Sequence, residues 1–170
     1  VSSSGHLILL PIVFNFKDQG LALDAILHLG TLLAIIVFFR KELVSLTKGL
    51  FDRHGSPKTH HLAWCIVLAS CPAGLIGLLG GEWIEINLRS PTFVGYNLLF
   101  WSLIFLIADR YSSQKSNNDS ELNRLSLRQI LFIGCAQAIA LLPGTSRSGI
   151  TIAAGLFTSL SHTSATRFSF

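Results

Sequence analysis

The sequence has no methionine in 170 residues and only three cysteines. Charge is scarce too: 13% of residues are Asp, Glu, Lys or Arg, about half the roughly 25% of a soluble domain. A complete translated chain begins with methionine, and helical membrane proteins use it freely. Its absence predicts a piece of a longer chain. Val1-Ser-Ser-Ser-Gly-His6 lacks the basic n-region that opens a signal peptide, and Phe168-Ser-Phe170 stops inside an apolar segment. Cys65, Cys71 and Cys135 lie in apolar stretches without C-x-x-C spacing, which predicts buried free thiols rather than a disulfide or a metal site. The net charge of +4 is small and sits mostly in two loops, a poor footprint for nucleic acid.

Half of the residues are hydrophobic, which predicts an integral membrane protein. Four spans are expected against the ~20 residues that a crossing helix needs: 21–39, 62–79 interrupted by Pro72, 93–108 and a short 130–142. The apolar runs within 1–14 and 143–160 are too short to cross. Ala73, Gly77 and Gly81 form a small-residue stripe suited to close helix packing. A last helix begins near Thr163, with Ser159, Ser161 or Thr163 as its cap.

The loops alternate in charge. Arg40–His61 carries five Lys/Arg, Gly80–Thr92 one, and Asp109–Gln129 four around a Ser/Asn-rich centre. The positive-inside rule puts the first and third in the cytoplasm and the second outside. His60 and His61 are then solvated cytoplasmic residues, and Glu82 and Glu85 interfacial ones. Both the segment before Leu21 and the residues after Leu142 fall on the outer side.

The oddest stretch is Leu142-Pro-Gly-Thr-Ser-Arg-Ser-Gly-Ile-Thr151. Arg147 is a lone charge among hydroxyls and glycines in an apolar chain. Buried charge needs a partner, and a guanidinium with hydroxyls suits a phosphate. The Pro-Gly break reads as a turn into a new helix, whose N-terminus favours anions. A water-facing loop is the plain alternative. Ser2-Ser-Ser-Gly5 aligns with Ser146-Arg-Ser-Gly149, again before an apolar run. Two such segments suggest an internal repeat with a site at its interface.

These pieces resemble one family, the undecaprenyl-diphosphate phosphatases of the bacitracin-resistance type. The resemblance rests on Val1-Ser-Ser-Ser-Gly-His-Leu7, Leu27-His-Leu-Gly-Thr31 with Arg40, Pro72-Ala-Gly-Leu-Ile-Gly77, Asp109-Arg110, Gly134-Cys-Ala-Gln137 and Pro143-Gly-Thr-Ser-Arg-Ser-Gly149 with Thr151. It covers nearly the whole chain, in order. It implies an all-α, polytopic membrane helical bundle with inverted repeats and re-entrant helix-loop segments. The implied enzyme, in the bacterial cell membrane with its site facing outward, removes the terminal phosphate of the C55 isoprenoid diphosphate. It thereby recycles the lipid carrier of peptidoglycan synthesis and gives bacitracin resistance. The implied cofactor is a divalent cation, Mg2+ or Ca2+. The family's glutamate-rich motif would lie before Val1, so no metal ligands are expected within this chain. Expected partners are the polyprenyl diphosphate, the bilayer and a second copy in a homodimer, with no nucleic acid.

Arg147 is the expected phosphate clamp; an Arg snorkelling to the interface is the alternative. Ser2, Ser4, Gly144, Ser146, Ser148 and Thr151 are candidates for binding phosphate, and the hydroxyls among them could equally cap helices. His6 is the expected acid/base, since histidine titrates near neutrality. Ser3, three residues earlier, is a candidate nucleophile that His6 would activate; metal-activated water is the other route. Asp24 and His28, four apart on one helix face, are expected to support the site as a local pair, or to be purely structural. A second lipid-phosphatase class shares Ser-Gly-His but needs His at the position of Ala153, followed by Asp. A transporter or flippase that holds the head group intact is the rival from another functional class.

Overall fold

The computed structural model describes residues 2–17, 20–51, 57–113 and 125–170, without the side chains at 4, 21, 85 and 113. Eight helices run through the described residues: α1 (Ser3–Val13), α2 (Gly20–Phe38), α3 (Arg40–Phe51), α4 (Pro57–Leu88), α5 (Pro91–Ser113), α6 (Leu127–Ile139), α7 (Arg147–Phe157) and α8 (His162–Ser169). None of the described residues is in a strand. Pro57–Ile84 and Pro91–Ser112 are each long and apolar enough to cross a membrane. The pair Ala22–Phe38 and Arg40–Phe51 passes the same test together but is bent by 79°. Large apolar side chains point outward along these helices, with Leu78 and Leu79 almost nine-tenths exposed. Water would not tolerate such a surface, and lipid would. The chain is an all-helical, multi-pass membrane protein.

Several elements depart from the sequence reading. The stretch 40–61, expected as a loop, begins with the helix α3. Part of it (Asp52 and Arg53), like Lys115 and Arg124 in the next basic loop, lies outside the described residues. His60 is not simply solvated: its Nδ1 donates to the Gly49 carbonyl at 2.7 Å and ties α4 to α3. Pro72 does not interrupt α4, which runs through it for 32 residues. Proline removes one N–H from the ladder. Just before it, Ser70 Oγ and Cys71 Sγ donate to the Ile66 and Val67 carbonyls and keep the polar atoms of that turn occupied. The three thiols are free, but only Cys65 is buried; Cys71 and Cys135 are exposed.

The closest helix contact lies one turn before the expected stripe, at Ala69, four residues ahead of Ala73 on the same face. Nothing lies within 4 Å of a Cβ built at Gly81, and Gly77 meets only the Leu141 side chain. Instead α4 and α6 meet at Gly134, where a Cβ would sit 2.7 Å from the Ala69 carbonyl oxygen. Around this contact a core forms from Cys65, Ala69, Ile130 and Ile133, continued by Ala153, Leu156 and Leu160 of the α7 segment. Ser161 is the one of the three candidate hydroxyls that caps α8, accepting from Ser164 N.

Candidate functional site

The two aligned segments fold alike. Ser2 caps α1 with an extended backbone (φ −77, ψ 108) and its Oγ accepts from Gly5 N at 3.2 Å. Ser146 caps α7 in nearly the same conformation (φ −74, ψ 113) and accepts from Gly149 N, also at 3.2 Å. Each helix has 11 residues. The match continues through the far end: Asn15 and Ser159, at equivalent positions, both have positive φ (52 and 68). Phe16 N donates to the Pro11 carbonyl, and Leu160 N to that of Gly155. Thus a likeness of a few letters extends through some fifteen residues of shared backbone geometry. In this frame Ser3 and Arg147 hold the same position, the first residue of each helix.

Helix α5 contacts both segments. A Cβ at Gly5 would lie 3.0 Å from the Leu98 side chain. One residue before Leu98, Asn97 donates through Nδ2 to the Pro143 carbonyl (2.9 Å) and to Thr145 Oγ1 (2.7 Å). Both segments therefore rest on α5, the equivalent glycines meeting it at different heights, Gly5 at Leu98 and Gly149 at Phe105. Gly144 turns the chain with φ +90, where side chains are strained, and a Cβ there would lie 3.0 Å from the Val94 carbonyl oxygen. At Gly149 a Cβ would overlap the Phe105 ring, at 2.2 Å. The glycines thus let two short helices press against a third.

Asn97 was missed in the sequence, although a polar amide inside an apolar span is itself a signal. Replacing it should loosen the 143–145 turn. Asn97→Ala leaves the Pro143 carbonyl without its donor and is expected to cost about 1–3 kcal/mol. Thermal unfolding of the purified protein in detergent measures this; an unchanged midpoint would mean that the turn holds without Asn97.

The candidate residues fall into three groups. Ser2 and Ser146 are buried caps. Thr151 has its hydroxyl engaged inside the protein, within bonding distance of the Arg147 and Ser148 carbonyls and of Ser169 Oγ between α7 and α8. A β-branched hydroxyl in a helix interior readily bonds the preceding turn. Arg147 is exposed, and neither its guanidinium nor the Ser148 hydroxyl has a bonding partner among the described residues. The Ser4 and Glu85 side chains lie outside the described ones.

On the α1 side the pairing differs from the expected one. The Ser3 hydroxyl bonds not His6 but His28 Nε2, at 3.2 Å. His28 Nδ1 faces the Asp24 main-chain carbonyl at 2.6 Å. Nor do Asp24 and His28 pair through their side chains: the Asp24 carboxylate bonds Arg89, 2.7 Å away and half-buried with it. Arg89 is the single basic residue of the Gly80–Thr92 stretch. His6 Nδ1 donates to the Ser2 carbonyl at 2.7 Å, leaving its exposed Nε2 edge for other contacts. A divalent cation fits these residues poorly. No three His, Cys, Asp or Glu side chains converge among the described residues, and the carboxylate behind Ser3 is already held by Arg89.

The sequence profile described as bacitracin resistance protein BacA matches residues 1–170. The chain belongs to that family. An undecaprenyl-diphosphatase of Saccharophagus degradans is 44% identical over 172 residues, covering 100% of this chain and 63% of its own length. Undecaprenyl-diphosphatase 2 of Stutzerimonas stutzeri is also 44% identical, with 100% of this chain and 64% of its own length covered. For an undecaprenyl-diphosphatase of Nitrosococcus oceani the figures are 43%, 100% and 64%. This BacA-family chain therefore spans a little under two thirds of the length of these relatives.

Proposed function

We propose that the protein to which this chain belongs hydrolyses undecaprenyl diphosphate to undecaprenyl phosphate and inorganic phosphate. The reaction would recycle the lipid carrier of cell-wall synthesis and so confer bacitracin resistance. The observation that carries this reading is the pair of serine-capped helix starts, both resting on α5, which present Ser3 and Arg147 from equivalent positions. The names of the relatives supply the substrate. The excess of Lys and Arg in the stretches 40–61 and 109–129 supports a site on the outer face of the bacterial cell membrane.

Diphosphate hydrolysis needs charge neutralisation and positioning more than covalent chemistry. Arg147 has its forked donors available for the terminal phosphate, and the Ser148 hydroxyl stands beside it. The free N–H groups of two helix starts add positive potential. In the neutral ring His6 keeps its proton on Nδ1, so bare Nε2 can take a proton during the reaction. Ser3 is the acceptor of the phosphoryl group in one route; water attacks directly in the other. The family resemblance implies a divalent cation, but the described residues do not form its site, and no step is assigned to it.

The serine route makes a specific forecast. Acid quenching during turnover should trap phosphate on Ser3, detected by peptide mass spectrometry, and Ser3→Ala should abolish it. Normal turnover by Ser3→Ala would leave only the water route. Hydrolysis is separated from transport in sealed vesicles given lipid diphosphate on the outside only. Hydrolysis releases phosphate on that side, whereas a flippase would carry the intact diphosphate across.

A further inference from the structure

We infer that His28 is a positioning residue for Ser3, fixing the hydroxyl so that its lone pairs, not its proton, face the substrate. The inference rests on the phosphatase reading above and deepens it. His28 Nδ1 lies 2.6 Å from a main-chain carbonyl, which has no proton to give, so the ring nitrogen must carry the hydrogen. In the neutral ring Nε2 is then bare, and the Ser3 hydroxyl is the donor in the 3.2 Å bond. A serine has one proton. With that proton directed to His28, Ser3 cannot donate to a phosphate oxygen and instead offers oxygen lone pairs, the orientation that an attacking or accepting group requires.

The surroundings favour positioning over proton abstraction. In hydrolytic triads a carboxylate behind the imidazole stabilises the charged ring. Here Asp24, the carboxylate on the same helix face, is bonded to Arg89, and only a carbonyl backs His28. The Asp24–Arg89 pair instead pins α2 to the junction between α4 and α5. This pin and the Ser3–His28 bond tie α2 to the same framework as α1. His6, whose Nε2 has no such tie, takes the proton of attacking water. The proton of Ser3, when its oxygen bonds phosphorus, leaves after the loose transition state along the existing bond to His28 Nε2, or to solvent in the glutamine variant.

The test uses the full-length protein in detergent with a polyprenyl diphosphate. His28→Ala should lower kcat about 10- to 100-fold, as for a misplaced reacting group, with KM nearly unchanged. His28→Gln, whose amide oxygen can accept the same hydrogen bond, should restore most of that loss. In a Ser3→Ala background His28→Ala should add nothing, because it acts through Ser3. Additive losses, or no rescue by glutamine, would overturn the assignment. Nitrogen NMR of the histidine rings gives a readout that needs no turnover. His28 should carry its proton on Nδ1, and its Nε2 resonance should move in Ser3→Ala but not in His6→Ala. A proton on Nε2 would reject the orientation even if the enzyme is active. With the NMR as expected, absence of phosphate release by the wild type would reject the phosphatase reading, and with it the role of His28.

Discussion

Arg147→Ala is expected to lower phosphate release from a polyprenyl diphosphate by about 100- to 1000-fold, the usual effect of losing one donor to developing charge. Folding should be spared. The guanidinium is exposed and touches no acceptor among the described residues, and the start of α7 is capped by Ser146, not by Arg147. Arg147→Lys should recover only part of the loss, since an ammonium cannot bind two phosphate oxygens as a planar fork does. Release rates and thermal unfolding, measured on the same preparations, separate the two effects. A variant that unfolds at lower temperature and loses activity in proportion would make Arg147 a structural residue.

The largest effect on stability is expected at Gly134. A methyl group there would lie 2.7 Å from the Ala69 carbonyl oxygen and 3.1 Å from its Cα. Both are backbone atoms of α4, so no rotamer change relieves the contact and the helices must part. Overpacking of this kind costs about 1–3 kcal/mol, and the strain would fall in the core that joins α4 and α6 to α7. Gly134→Ala should therefore unfold at a clearly lower temperature in detergent, and Gly134→Leu should fail to accumulate. Gly81→Ala is the control: it faces open space and should leave the midpoint in place. Equal behaviour of the two alanine variants would contradict the α4–α6 contact.

Much of this was legible in the sequence because membrane helices are encoded by long apolar runs, and turns by proline, glycine and serine. The repeat was visible as Ser-x-Ser-Gly, since a serine cap followed three residues later by glycine is a local device that needs no distant partner. What was not legible depends on distant parts of the chain meeting. His28 lies 25 residues from Ser3 and Arg89 lies 65 from Asp24, and no spacing rule ties such pairs. Helical periodicity paired Asp24 with His28, but the bond between them runs through the main chain. Thr151 belongs to a motif, yet its hydroxyl bonds carbonyls of its own helix and Ser169 of α8. The small-residue stripe named Ala73, Gly77 and Gly81, and the closest contact comes one turn earlier on that face, where Ala69 meets Gly134, because a stripe marks where an approach is allowed and not which partner arrives.

The central claim is that the two capped helix starts act together as one diphosphate-hydrolysing centre. Its most direct test is a time course of purified full-length protein with undecaprenyl diphosphate and a divalent cation, following inorganic phosphate and undecaprenyl phosphate together. The two products should appear in equal amounts, and the rate should fall sharply in both Ser3→Ala and Arg147→Ala, one variant from each repeat segment. Substrate that binds but stays intact, or variants that release phosphate as fast as the wild type, would contradict it.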